Sequence, residues 1–160
     1  MFAVSTPSGT TRTTPHELDA VMRASRVISG IVAESVAQTG DAVTMPQLRV
    51  LVLVGTRSAV NTSAVAAELD IHPSNASRLC DRLVQAGLLD RRESSTDRRH
   101  VVLSLTSAGS ELVSSVMDHR REAFRRILDR MQPREREQLR SALDRFAELS
   151  GEPPEDAAGW

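Results

Sequence analysis

The chain has 160 residues, of which 40% are apolar, and this supports one domain with a core or one protomer of a small assembly. Its formal net charge is −1, so the overall charge does not indicate a nucleic-acid partner. Aromatic residues make up only 2% of the chain, which argues against single-stranded nucleic-acid binding through stacked bases.

The N-terminal segment and the first helix are marked by composition and by capping residues. Residues 1–13 are rich in Ser, Thr, Pro and Gly, and we expect them to be disordered. Thr14 and Glu17 predict a capping box, with Pro15 at the first helical position. Apolar residues then recur at spacings of three and four, and Gly40 is expected to end the helix. A helix of about 25 residues would be roughly 37 Å long, so we expect it to reach a partner.

Two shorter helices follow. Thr44 and Gln47 predict a second capping box, and the helix that they open is expected to end at Gly55. Residues 50–54 are apolar without interruption, which indicates a central helix that is buried on all sides. A third, short helix is expected over Thr62–Leu69, because cap-forming residues precede it.

The fourth helix, predicted over residues 73–86 and ended by Gly87, has one apolar side and one polar side. Its apolar residues fall within an arc of about 160°, at ~100° per residue. The opposite arc holds Ser74, Asn75, Ser77, Arg78, Asp81, Arg82 and Gln85. Short polar side chains near the N-terminus of such a helix can meet base edges in a major groove, and arginines can bind guanine or phosphate. Asp81 would repel the DNA backbone, so we expect it to pair with an arginine or to face away.

A hairpin is predicted next, with strands over residues 88–93 and 100–105, because apolar and polar residues alternate along the second strand. Its loop carries Asp97, Arg98 and Arg99. Arginines at a hairpin tip can reach a minor groove, and the aspartate can orient one of them. Taken alone, the polar side of the fourth helix could be an ordinary solvent-exposed helix face. Taken alone, Asp97, Arg98 and Arg99 could be an ordinary solvent-exposed turn. The order of helix, turn, helix and basic wing favours DNA binding more than either piece does.

Two C-terminal helices complete the expected structure. Thr106 is expected to cap a fifth helix that reaches about residue 131, and Pro133 opens a sixth helix with an apolar stripe. The final residues, 150–160, form an acidic tail that contains proline and is expected to be mobile.

Several classes of protein are disfavoured. The single cysteine, Cys80, excludes an internal disulfide, and it lies on the apolar side of the fourth helix, so we interpret it as a core residue rather than a redox sensor. No apolar run is long enough to span a bilayer and no signal peptide is evident, so we expect a soluble, cytoplasmic protein. We find no catalytic constellation or metal-binding pattern, and expect neither an enzyme nor a cofactor or metal site.

The chain resembles the MarR family of winged-helix transcriptional regulators over roughly residues 14–149. Short motifs carry the resemblance through their joint order and spacing. They are Met45-Pro46-Gln47-Leu48-Arg49-Val50-Leu51, Pro73-Ser74-Asn75-Ala76-Ser77-Arg78-Leu79, Asp81-Arg82-Leu83, Ala86-Gly87-Leu88-Leu89, Asp97-Arg98-Arg99, and Leu103-Ser104-Leu105-Thr106 with Gly109. One position departs from the family pattern, since His72 stands where such proteins often have a Ser or Thr cap.

The resemblance implies a mainly α fold with a small β-hairpin wing (α+β), and a homodimer on a pseudo-palindromic operator of double-stranded DNA. It assigns a dimerisation helix to residues 14–43, a winged helix-turn-helix DNA-binding region to residues 44–106 and further dimerisation helices to residues 107–149. By position, it places Ser74, Asn75, Ser77, Arg78 and Arg82 on the recognition helix, and it matches Asp97 and Arg99 to the wing's acid and minor-groove arginine. Together with Arg98 at the same hairpin tip, the five helix residues and Arg99 are expected to contact DNA, and Asp97 is expected to orient the wing. It further implies a repressor that a small-molecule effector relieves. The alternative is a winged-helix protein-interaction module that does not bind DNA.

Overall fold

The computed structural model describes residues 12–40, 42–57, 59–93 and 101–151. Within these ranges the chain forms six helices and one two-stranded antiparallel hairpin, which confirms the predicted fold class. In chain order the elements are α1 (Pro15–Ala37), α2 (Met45–Thr56), α3 (Thr62–Leu69), α4 (Pro73–Gln85), β1 (Leu89–Glu93), β2 (Val101–Leu105), α5 (Ser107–Leu128) and α6 (Pro133–Ser150).

Both predicted capping boxes are present. The backbone N–H of Thr14 donates to the Glu17 carboxylate at 2.6 Å, and the Glu17 N–H donates back to the Thr14 hydroxyl at 3.3 Å. At the start of α2, the Thr44 N–H donates to the Gln47 side-chain oxygen at 2.8 Å. These bonds satisfy N–H groups that have no partner inside the helix, and so fix where each helix begins.

Three predicted helix ends are wrong. The prediction ended α1 at Gly40, but the helix stops at Ala37 and Gly40 lies in the turn after it, with φ +59°. The prediction ended α2 at Gly55, but the helix runs through this residue to Thr56, because Gly55 does not adopt the left-handed φ that would end a helix. The prediction extended α5 to residue 131, but the helix stops at Leu128. Gln132 precedes a proline and is extended, at ψ 152°, so helical geometry cannot continue through it.

The first strand also begins one residue later than predicted. Leu88 belongs to the turn that ends α4, where its N–H donates to the Leu83 carbonyl at 3.0 Å. Gly87 sits in this turn with φ +70°, a conformation that favours glycine. The turn therefore satisfies the last carbonyl groups of α4 before the hairpin starts. Residue 100, the predicted start of the second strand, lies outside the described residues.

The core forms around α2, as its apolar sequence predicted. Leu48, Val50 and Leu51 are at most 1% exposed. They belong to a buried cluster that includes residues of α3, α4 and α5, among them Val65, Ala76, Cys80, Leu83, Val113 and Val116. The buried side of α2 lies within this cluster, while Arg49 on the same helix is exposed. No helix in the described part of the chain is both long and apolar enough to cross a bilayer.

The terminal helices are held differently. A polar contact joins α1 to α5, where the Arg120 Nε donates to the buried Ser35 hydroxyl at 2.7 Å. Burial lowers the pKa of Arg120, and the Ser35 hydroxyl donates a hydrogen bond to the Val32 carbonyl at 2.7 Å. By contrast, α6 contains no buried residue in the single chain. The large apolar side chains left exposed lie mainly on α1 and α6, and include Leu18, Val21, Met22, Val27, Ile28, Leu143, Phe146 and Leu149.

Candidate nucleic-acid interface

A tight turn joins α3 to α4. Asp70 ends α3 in the left-handed conformation (φ +51°, ψ +51°), and the Ile71 N–H donates to the Ala66 carbonyl at 3.0 Å. The next residue, His72, is the N-cap of α4, and its Nδ1 accepts the backbone N–H of Ser74 at 3.3 Å. The histidine ring thus replaces the Ser or Thr cap that the family pattern led us to expect. The start of α4 agrees with the prediction.

The inner side of α4 anchors the helix in the core. Ala76, Cys80 and Leu83 are fully buried. Burial raises the pKa of the Cys80 thiol, against a smaller opposing effect of the nearby Arg91 charge. A buried neutral thiol packs as a small apolar group, in agreement with the interpretation of Cys80 as a core residue. Because the inner side is fixed in this way, the opposite side of α4 faces outward.

The predicted recognition residues share this outward side. Ser74 and Asn75 are exposed in the first turn of α4, while Ser77 is half-buried behind them. Arg78 and Arg82 are exposed one turn apart. The structure therefore brings together all five recognition-helix residues that the sequence predicted, as polar groups near the helix start followed by two cations.

Some arginines near α4 are paired with acidic residues and others are not. The two arginines of β1 are paired with acids, Arg91 with Asp81 and Arg92 with Asp90. Arg78 and Arg82 take part in no ion pair among the residues that the structure describes, which leaves both guanidinium groups available to an anion. Of the two alternatives for Asp81, the structure shows pairing. Its partner, Arg91, follows ten residues later on a different element, so no local pattern in the sequence indicated it.

The base of the wing is joined to the helix-turn-helix. The two strands pair in register from Leu89 with Leu105 to Glu93 with Val101. The N–H of Leu103 donates to the carbonyl of Val60, just before α3, at 2.7 Å. The hairpin base therefore has a fixed position beside α4 and α3.

The predicted tip of the wing, with Asp97, Arg98 and Arg99, lies outside the described residues. The wing contacts assigned to these three residues, and the orienting role of Asp97, therefore stay predictions.

A close contact ties α5 to the turn between α4 and the wing. The Thr106 hydroxyl donates to the Gly87 carbonyl at 2.6 Å and accepts the Gly109 N–H at 3.0 Å. The Thr106 N–H donates to the Leu88 carbonyl at 3.2 Å. A Cβ atom on Gly109 would lie only 2.1 Å from the Leu88 oxygen. The sequence predicted the Thr106 cap, but nothing local indicated that only glycine fits at position 109.

The described part of the chain contains no group of three or more His, Cys, Asp or Glu residues able to hold a metal ion. The outward side of α4 offers hydroxyl, amide and guanidinium groups. Such groups bind phosphate oxygens and base edges.

Comparisons with known proteins agree with this arrangement. The sequence profile described as MarR family matches residues 43–101. The chain is 30% identical over 112 residues to Mb0904 of Mycobacterium bovis, named as an uncharacterised HTH-type transcriptional regulator, and this match covers 70% of the chain and 78% of the relative. It is 33% identical over 95 residues to MdtR of Bacillus subtilis, named as an HTH-type transcriptional repressor, covering 59% and 60%. The chain spans 62% of the length of another B. subtilis relative, the regulator YfiV.

A solved structure extends the similarity to nearly the whole chain. The crystal structure of RV1404 from Mycobacterium tuberculosis superposes with a TM-score of 0.77 at 38% identity. The match covers 89% of this chain and 99% of that protein. The similarity therefore includes the terminal helices as well as the winged helix-turn-helix.

Proposed function

Because this chain belongs to the MarR family of transcriptional regulators, we propose that it binds a pseudo-palindromic duplex operator as a homodimer. The observation that supports this proposal is the outward side of α4, where Arg78 and Arg82 are exposed and unpaired among the described residues. In a dimer, the two copies of α4 would enter successive major grooves about 34 Å apart. Ser74, Asn75 and Ser77 would then meet base edges, while the arginines contact guanine or phosphate.

The terminal helices supply the surface for the dimer. A helix depends on tertiary packing for most of its stability, yet α6 buries none of its residues in one chain. Its apolar side chains, Leu143, Phe146 and Leu149, are 52–72% exposed. We therefore assign dimerisation to residues 14–43 and 107–149, and DNA binding to residues 44–106.

Repression would follow from occupancy of a promoter, and the name of the relative MdtR supports this direction of regulation. A small-molecule effector in the cleft between the dimer and DNA-binding regions would relieve repression. It would bind the conformation in which the two α4 helices are wrongly spaced for the operator more tightly than the DNA-binding conformation. It can shift the equilibrium only by that difference in affinity. The names of the relatives are those of regulators, and we propose no enzymatic activity.

The wing is assigned to the flanking minor groove, with Arg98 and Arg99 at its tip and Asp97 orienting one of them. We expect Arg99→Ala to weaken operator binding at least about tenfold, on the order of 1.4 kcal/mol, because an arginine in the negative potential of the minor groove is lost. Fluorescence anisotropy with a labelled duplex measures the change. Unchanged affinity in a folded, dimeric variant would contradict this role of the wing.

The test of the proposed function begins with selection of bound duplexes from a random-sequence pool, followed by titrations of the selected duplex at several salt concentrations. Binding through about eight phosphates is expected to give a log–log slope near −7. The alternative function, a protein-interaction module, predicts no enriched sequence and a much shallower salt dependence. That outcome would exclude the operator-binding proposal.

Matched variants locate the interface in the same titration. Arg78→Ala is expected to weaken binding of the selected duplex by roughly tenfold or more, since a base or phosphate contact of this kind contributes about 1–3 kcal/mol. Arg134→Ala removes the same charge from an exposed position on α6 and is expected to leave the affinity within about twofold. Equal losses in the two variants would show a general charge effect and contradict recognition through α4.

A further inference from the structure

We propose that Asp81 limits how tightly the protein binds DNA of any sequence, by holding Arg91 away from the phosphate backbone; this inference rests on the proposed DNA-binding function. In this arrangement Asp81 is a positioning residue that acts through its partner. It does not itself need to contact a base.

The geometry places the ion pair at the edge of the DNA-facing surface. The Asp81 carboxylate lies 2.5 Å from the Arg91 Nη2, and the two side chains are 45% and 41% exposed. Around the axis of α4, Asp81 is only about 60° from Arg78, at 100° per residue. The pair thus spans from the polar side of the recognition helix to the first strand of the wing. Both surfaces would approach the same duplex.

The charge balance explains what the pair can do. An exposed arginine beside a DNA backbone neutralises phosphate and adds affinity for any sequence. Asp81 instead supplies a carboxylate to Arg91, so that this cation is already compensated in the free protein. Arg78 and Arg82, which lie on the same surface, have no such partner among the described residues. Of these three arginines, Arg78 and Arg82 are therefore available to DNA and Arg91 is withheld.

Withholding a sequence-independent contact lowers the affinity for operator and non-operator DNA by about the same factor, so their ratio does not change. It also lowers the number of phosphates on which the salt dependence of binding rests. An ion pair this exposed contributes little to folding stability. We therefore expect the effect of Asp81 to be measurable in DNA binding rather than in the thermal unfolding of the protein.

The experiment compares two probes, the duplex selected by the wild-type protein and a scrambled duplex of the same composition. Asp81→Asn removes the carboxylate charge and releases Arg91. We expect its affinity for the scrambled duplex to rise roughly threefold or more, with a log–log salt slope steeper by about one unit. The affinity for the selected duplex is expected to rise by a similar factor. An unchanged affinity for the scrambled duplex would overturn the inference.

Control variants separate this mechanism from a general change of charge. Asp90→Asn removes the same charge from a neighbouring exposed pair, that of Asp90 with Arg92, and is expected to change the scrambled-duplex affinity by less than about twofold. In the double variant Asp81→Asn/Arg91→Gln, the scrambled-duplex affinity is expected to return close to the wild-type value, because the released cation is gone. An equal gain in Asp90→Asn, or a gain that persists in the double variant, would overturn the role of Arg91.

The single variant Arg91→Gln supplies a test that does not depend on the folding of Asp81→Asn. It releases no cation, so we expect it to bind neither duplex more tightly than the wild type. A tenfold loss of affinity for the selected duplex that persists in the double variant, which lacks the Asp81 carboxylate, would show that Arg91 itself contacts DNA, and would overturn the inference. A wild-type protein that selects no duplex would overturn the proposed function and this inference together. Successful selection with an unchanged scrambled-duplex affinity in Asp81→Asn overturns the inference alone.

Discussion

A chain carrying Phe146→Glu is expected to be monomeric at micromolar concentration and to lose operator binding. Phe146 lies on the apolar side of α6 and is 58% exposed in the single chain. Covering one phenylalanine contributes about 2 kcal/mol, and a symmetric dimer contains the substitution twice. Burying an unpaired carboxylate in its place adds a further penalty. We expect dimerisation to weaken by on the order of 10²-fold or more, as measured by sedimentation equilibrium.

Loss of the dimer should carry over to DNA binding. Two linked α4 helices bind two half-sites with an effective concentration that a monomer lacks, so operator affinity is expected to fall by about 10²-fold. Ser141→Glu is the matched control, because it adds the same charge about 140° around α6, on the polar side. It should remain dimeric and bind the operator normally. If the Phe146→Glu variant remained dimeric, the dimer interface would lie elsewhere. That result would contradict the assignment of the exposed apolar side of α6 to the dimer interface.

The features that the sequence predicted well are those whose signals are local. A capping box needs only residues three positions apart, and Thr14 and Thr44 both form one. The bounds of α3 and the two-sided character of α4 follow from cap residues and from periodicity over a few turns. For the same reason, Ser74 and Arg78 could be assigned to one outward surface before any tertiary contact was known.

The features that were missed depend on contacts and backbone conformations that the local sequence pattern does not specify. Asp81 meets Arg91 only because the chain reverses at Gly87, and either side chain alone resembles any solvated charge. His72 caps α4 through a ring nitrogen, a role for which serine and threonine are the usual signals. Gly55 carries the usual signal for a helix end, yet the helix continues through it. In each case the side-chain partner or the helix end could not be inferred from the local sequence pattern alone.

The contact at Gly109 is the strongest case of this kind. The expected result for Gly109→Ala is a less stable protein, although alanine is normally the better helix former by about 1 kcal/mol. The added Cβ would lie 2.1 Å from the Leu88 carbonyl oxygen, a backbone atom that no side-chain rotation can move. The first turn of α5 would have to retreat from the turn that ends α4. We expect a net loss of about 3 kcal/mol from overpacking and from weakening of the Thr106 cap.

The matched control is Gly30→Ala in α1, where an added Cβ would meet no atom within 4 Å, so helix propensity predicts equal or slightly greater stability. Thermal unfolding at equal protein concentration should place Gly109→Ala roughly 6–12 °C below the wild type. If Gly109→Ala melted at the wild-type temperature, the turn between α4 and β1 would be able to move away from the added Cβ at little cost. That result would remove the rigid link between α5 and α4, and with it the means by which the proposed dimer helices fix the spacing of the two recognition helices.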